Sequence, residues 1–110
     1  MVGELLDRGT AETYASWFRA LADPSRVQLV EYLARQARPM SVGEIVTAVG
    51  LAQSTVSQHL RILTEVRFVL VEAVGNARHY RINTTCVACF PSAADVVMGK
   101  PAPSPIGGCA

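Results

Sequence analysis

The sequence predicts a mainly α-helical fold with a single β-hairpin, and three observations carry that expectation. Through residues 10–63, apolar side chains recur at spacings of three and four, the period of one helix face. Two of these helical stretches are short and are joined by a few residues containing Gly50, the arrangement of a helix-turn-helix. Past residue 67 the period changes, and residues 68–74 and 78–82 read as two strands turning at Gly75-Asn76. A helix-turn-helix followed by a hairpin is the order of a winged helix-turn-helix.

Each element has its own signal. In the first helix, over residues 10–21, Tyr14, Trp17, Phe18 and Leu21 share a face, and Thr10 is the expected N-cap. Asp23-Pro24-Ser25-Arg26 opens the second helix, with Asp23 as cap and Pro24 in the first helical position, where its missing N–H costs nothing. Val27, Val30 and Leu33 line that helix, flanked by Leu29 and Tyr32, and it ends before Pro39. Ser41-Val42-Gly43-Glu44 has the spacing of a capping box. Its helix carries Ile45, Val46 and Val49 and stops at Gly50, which suits the left-handed position past a helix end. The next helix begins near Gln53 and turns Val56, Leu60 and Leu63 inward. Residues 83–90 hold Cys86-Val87-Ala88-Cys89, after which Pro91 is expected to open a short helix through Met98. Residues 1–99 thus form one domain, and residues 100–110, with three prolines and two adjacent glycines, a mobile tail carrying Cys109.

Composition narrows the function classes. Of 110 residues, 50% are hydrophobic and 17% charged, which describes a globular chain with a real core. A domain this small leaves roughly a third of its unfolded surface exposed, so pairing into a homodimer is favoured. No apolar run reaches the roughly 18 residues of a membrane span, and no signal-peptide layout precedes residue 10, so the expected location is the cytoplasm. Three cysteines in that compartment point to free thiols, metal ligands or redox sites rather than disulfides. An enzyme is not expected: the chain has no Ser-His-Asp set, paired-carboxylate site, phosphate loop or His-Glu-x-x-His motif.

A net charge of +1 does not diagnose a nucleic-acid partner, but the placement of polar groups does. The outward set Gln53, Ser54, Thr55, Ser57, Gln58, His59 and Arg61 is rich in short hydrogen-bonding groups and has no acid before Glu65. Gln and Arg make paired contacts to adenine and guanine edges, and Ser and Thr reach bases or phosphates. Between residues 53 and 81, four arginines stand against two acids, where a helix and a wing would meet double-stranded DNA. Arg78, beside the wing turn, suits a minor groove or a phosphate.

Phe18-Arg19-Ala20-Leu21-Ala22-Asp23-Pro24-Ser25-Arg26, with Gln53-Ser54-Thr55-Val56-Ser57-Gln58-His59-Leu60-Arg61-Ile62-Leu63, resembles the ArsR/SmtB family of metal-sensing repressors. The resemblance covers about residues 12–83. It implies a homodimeric winged helix that represses its own operon and leaves operator DNA on binding an inducer, with residues 53–61 in the major groove. Three departures stand out. The chain lacks the Cys-x-Cys pair that many members carry at the start of the helix beginning here at Ser41, it has Ala52 in the cap position before Gln53, and its last helix is short. The first helix, with Tyr14 and Trp17, is then expected to share the dimer seam or the core.

Cys86, Cys89 and Cys109 are the soft ligands. A Cys-x-x-Cys spacing lets two sulfurs converge on one ion, and thiolate selects thiophilic metals over magnesium or calcium. Three thiols match the coordination of pyramidal As(III), which makes arsenite the preferred inducer. Cd, Hg and Pb remain open, while tetrahedral Zn would need a fourth ligand, with His79 nearest in sequence. The same pair could instead oxidise, giving a thiol redox or persulfide switch.

Overall fold

The computed structural model describes residues 5–99, with the backbone alone for residues 86–92. Helix α1 (Arg8–Ala20) starts earlier than the apolar pattern suggests. Its cap is Asp7, whose carboxylate accepts the Thr10 N–H at 3.1 Å, so Thr10 lies in the first turn rather than at the cap. Helix α2 (Pro24–Gln36) follows the expected signals: the Asp23 carboxylate accepts the N–H groups of Ser25 and Arg26 at 2.8 and 3.2 Å. Its buried line is rotated from the expected one. Leu29 and Leu33 are fully buried, whereas Val27 is 48% exposed. The pair four residues apart packs on the core, and Val27, two positions before Leu29, falls on the far side of the helix.

Met40–Ser41 forms a two-residue strand, β1, which no periodicity announces. The helix-turn-helix comes next, as α3 (Val42–Val49) and α4 (Gln53–Glu65), and then strands β2 (Val69–Val74) and β3 (Ala77–Ile82). The capping box is present in full, and Gly50 takes φ 72° at the end of α3. β3 is the central strand of the sheet, with β1 and β2 antiparallel on either side, Met40 opposite Tyr80 and Val71 opposite Tyr80. At the hairpin tip Gly75 supplies the left-handed backbone, φ 62°, that a two-residue loop needs.

Helix α5 (Thr84–Val97) corrects the expectation of a short helix opening at Pro91. Asn83, directly after β3, caps it by accepting the Thr85 N–H at 3.1 Å, so the helix begins seven residues earlier and runs through Pro91. Ala93, on its second half, is fully buried, and that packing holds the helix past a residue that usually breaks one. The core gathers between these layers. Leu29, Leu33, Met40, Ile45, Val56, Leu60, Leu63 and Val69 are fully shielded from solvent, each contributing about 1.5–3 kcal/mol of burial. Trp17 is also buried, with its ring centroid 5.4 Å from Tyr14 and 6.3 Å from Phe68, so it belongs to the core.

Candidate nucleic-acid interface

Helix α4 is held by its apolar stripe, not by its cap. Ala52 offers no side-chain hydrogen bond to the first turn, while Val56, Leu60 and Leu63 are fully buried. This packing leaves Gln53, Ser54, Thr55, Ser57, Gln58 and Arg61 exposed along the opposite face, as expected from the sequence. Arg61 is folded onto its own helix: it donates to Gln58 Oε1 at 3.1 Å and to Glu65 Oε2 at 3.5 Å. Both interactions are solvent-exposed, and an exposed pair of this kind is worth about 1 kcal/mol at most, so the guanidinium is easily released to another acceptor.

The wing stands beside this helix. Arg78 and Tyr80, two apart on β3, share one face of the strand and lie opposite Ala73 and Val71 of β2. Between wing and helix runs an open groove of about 410 Å³, lined by Ser57, Arg61, Thr64, Glu65, Val71, Arg78 and Tyr80. Three residues singled out in the sequence, Ser57, Arg61 and Arg78, therefore meet in one groove. Thr64, Glu65, Val71 and Tyr80 were not singled out. Their approach depends on how the hairpin folds back over α4, which no local pattern encodes.

His59 departs from its neighbours. It is half-buried, and its Nδ1 lies 3.3 Å from Arg26 Nη1 of α2, so it faces the protein interior more than the polar face. Arg26 Nε also donates to the Ala20 carbonyl at the end of α1, at 2.6 Å. Asp23 caps the same corner. Desolvation works against its charge but is outweighed by the N–H groups of Arg26 and Ser25, then by the charges of Arg26 and His59, and its carboxyl is held below the ordinary range. Arg26 was absent from the residues singled out by chemistry, and its position as the fourth residue of Asp23-Pro24-Ser25-Arg26 was the only local hint.

Cys86 and Cys89 fall within α5, three positions apart, and their side chains lie outside the described residues, as does Cys109 altogether. His79 is on β3, opposite Glu72 of β2 and Ser41 of β1. Among the described residues, no three His, Cys, Asp or Glu side chains gather as a metal site would require. Nor is any helix among them long and apolar enough to cross a membrane.

An exposed polar helix and a hairpin that share an arginine-lined groove define a regulator of the winged helix-turn-helix class. The family model of the bacterial regulatory protein, arsR family, matches residues 23–70. The chain is 38% identical to the transcriptional repressor SmtB homolog of Synechocystis over 72% of its own length and 58% of that protein's. It is 34% identical to the probable mercury resistance operon repressor of Streptomyces lividans, over 79% of this chain and 63% of that one. It thus spans about three fifths of the length of these two relatives. Among solved structures, the homodimeric winged helix-turn-helix DNA-binding domain of Mb0332 from Mycobacterium bovis superposes with a TM-score of 0.67 at 29% identity, covering 89% of this chain and 91% of that one. The chain belongs to the ArsR family of bacterial regulatory proteins.

Proposed function

We propose that the protein is a transcriptional repressor that binds double-stranded operator DNA as a homodimer and is released by a thiophilic inducer, arsenite foremost. The carrying observation is the groove in which Ser57 and Arg61 of α4 meet Arg78 of the wing. A helix face of Gln, Ser and Thr suits base edges in a major groove, and two arginines beside it suit phosphates or guanine. The homodimeric state of the Mycobacterium bovis domain supports a dimer here. The test is binding of the purified protein to a labelled DNA fragment taken from directly upstream of its gene. Gln58→Ala and Arg61→Ala are each expected to weaken binding by about 1–3 kcal/mol, the cost of one good base contact. If both variants keep their fold and bind with unchanged affinity, α4 is not the reading helix.

Cys86 and Cys89 are the inducer ligands in this reading, with Cys109 completing a three-thiol site. Positions three apart on a helix are surface neighbours, and thiolates favour soft ions. The kinship to a probable mercury resistance operon repressor supports a thiophilic ion over a hard one. Hydrogen bonds at the start of α5 support a route for the signal. Asn83, the cap of α5, takes its backbone N–H to the Phe68 carbonyl at 2.9 Å and its side-chain amide to the Arg67 carbonyl at 2.8 Å. Arg67 follows α4 by two residues, so a shift at the start of α5 bears on the end of the reading helix.

A further inference from the structure

We infer that Arg26 and His59 are positioning residues for the reading helix: one guanidinium pins α4 to the corner between α1 and α2 and thereby sets the angle at which its polar face is presented. The inference rests on the DNA-binding reading above for its consequence, but not for its geometry. Arg26 reaches two elements at once, the Ala20 carbonyl closing α1 through Nε and the His59 ring on α4 through Nη1. Its own backbone N–H is held by Asp23, so the arginine is fixed at its root as well as at its tip. Both side chains are half-buried, and their contact links residues 33 apart in sequence. The hydrogen bonds of Arg61 along α4, by contrast, are exposed and span a single turn.

The contact also selects a tautomer. A guanidinium only donates, so His59 Nδ1 must accept, and the neutral ring then carries its hydrogen on Nε2. Protonating the ring places a second donor and a second positive charge against Arg26. The charged groups of α2 around the ring are Arg26 and Asp23; Asp23 attracts an imidazolium but already spends an oxygen on the two N–H groups of the helix start. On α4 itself Arg61 is turned to Gln58 and Glu65.

This separates two roles for the same histidine. If His59 contacted DNA itself, as its place in the polar set of the sequence suggests, Arg26→Lys would leave its contribution intact. As part of the brace, His59 contributes only while its ring accepts from Arg26, so an acceptor at position 59 keeps the contribution and an apolar side chain loses it.

The experiment has two readouts on the full chain. In the free protein, nitrogen-15 imidazole spectra at neutral pH should show His59 as the Nε2–H tautomer, with Nδ1 unprotonated. Arg26→Lys, which cannot reach both partners, should change that signature. The opposite tautomer, or a spectrum indifferent to Arg26→Lys, overturns the brace without any DNA present.

In the second, affinity for the upstream DNA fragment is compared across variants at one neutral pH. His59→Gln, whose amide oxygen can accept from Arg26, is expected to bind nearly as the wild type does, while His59→Leu, which cannot accept, should lose about tenfold, the worth of one hydrogen bond to a charged group. A His59→Leu variant that binds as tightly as the wild type, or a His59→Gln variant that loses as much as His59→Leu, overturns the inference. A wild type that binds no DNA would sink the functional reading, while the tautomer measurement would still decide the brace.

Discussion

Two carboxylates at helix starts give the chain an acid-sensitive component of stability. Asp23 is held low by the N–H groups it caps and by Arg26 and His59, which together outweigh its desolvation. Glu44 is held low by the Ser41 N–H of the capping box, then by Arg38, whose guanidinium lies 3.1 Å away. A carboxyl whose folded value is depressed contributes stability that is fully present above its unfolded value, about 4, and is lost as pH falls through the lower folded value. Thermal unfolding across that acid range is therefore expected to show a falling melting temperature. Asp23→Asn, which keeps a good cap but loses the charge, should be less stable than the wild type at pH 7 and lose less on acidification. An acid limb as steep as that of the wild type would remove Asp23 from the account.

The wing and α4 are separate elements that make one surface. Arg61 belongs to the helix and is accompanied by Gln58 and Glu65, whereas Arg78 sits on a strand beside a tight turn and faces the same groove. The two should contribute differently. Arg78→Ala is expected to weaken binding to the upstream fragment and to unrelated DNA in similar proportion, because a strand-borne arginine at a groove rim meets phosphates first. The slope of log affinity against log salt should become shallower by about 0.9 for each phosphate that the variant no longer neutralises. A variant with an unchanged slope but a diminished sequence preference would instead place Arg78 on a base edge.

At the scale of the whole molecule, α5 is tied to the end of α4. α5 is capped by Asn83, which is also bonded to the chain just beyond α4, and α5 is anchored in the core by Ala93. Release requires the inducer to prefer the DNA-free conformation, by a coupling of typically 1–3 kcal/mol. Cys86→Ser and Cys89→Ser are each expected to bind the DNA fragment as the wild type does and to stop responding to arsenite. Cys109→Ser should lose less of the response, since two thiolates can hold the ion with water or an outside thiol. The response should also fade as pH drops, because thiols must lose protons to bind. Titration of arsenite against the preformed complex checks all three, and release of both Cys86→Ser and Cys89→Ser at wild-type arsenite concentrations would place the inducer site elsewhere.

The sequence by itself determined the element order, the helix-turn-helix and hairpin, the caps at Asp23 and Ser41, the buried stripe of α4 and its polar face. These are local properties: a period of 3.6 or 2, a cap within three residues, a glycine where the backbone turns left-handed. Tertiary structure alone decided the rest. β1 exists only because β3 supplies its partner, since two residues carry no period of their own. α5 passes Pro91 because Asn83 starts it upstream and Ala93 is buried against other elements. Val27 lies off the buried line because the direction of the core, not the helix period, chooses which apolar residues go inside. His59 reads as part of a polar face until α2 brings Arg26 to within 3.3 Å of it. A periodic pattern fixes which residues share a face, but which group waits opposite that face depends on contacts between segments far apart in the chain.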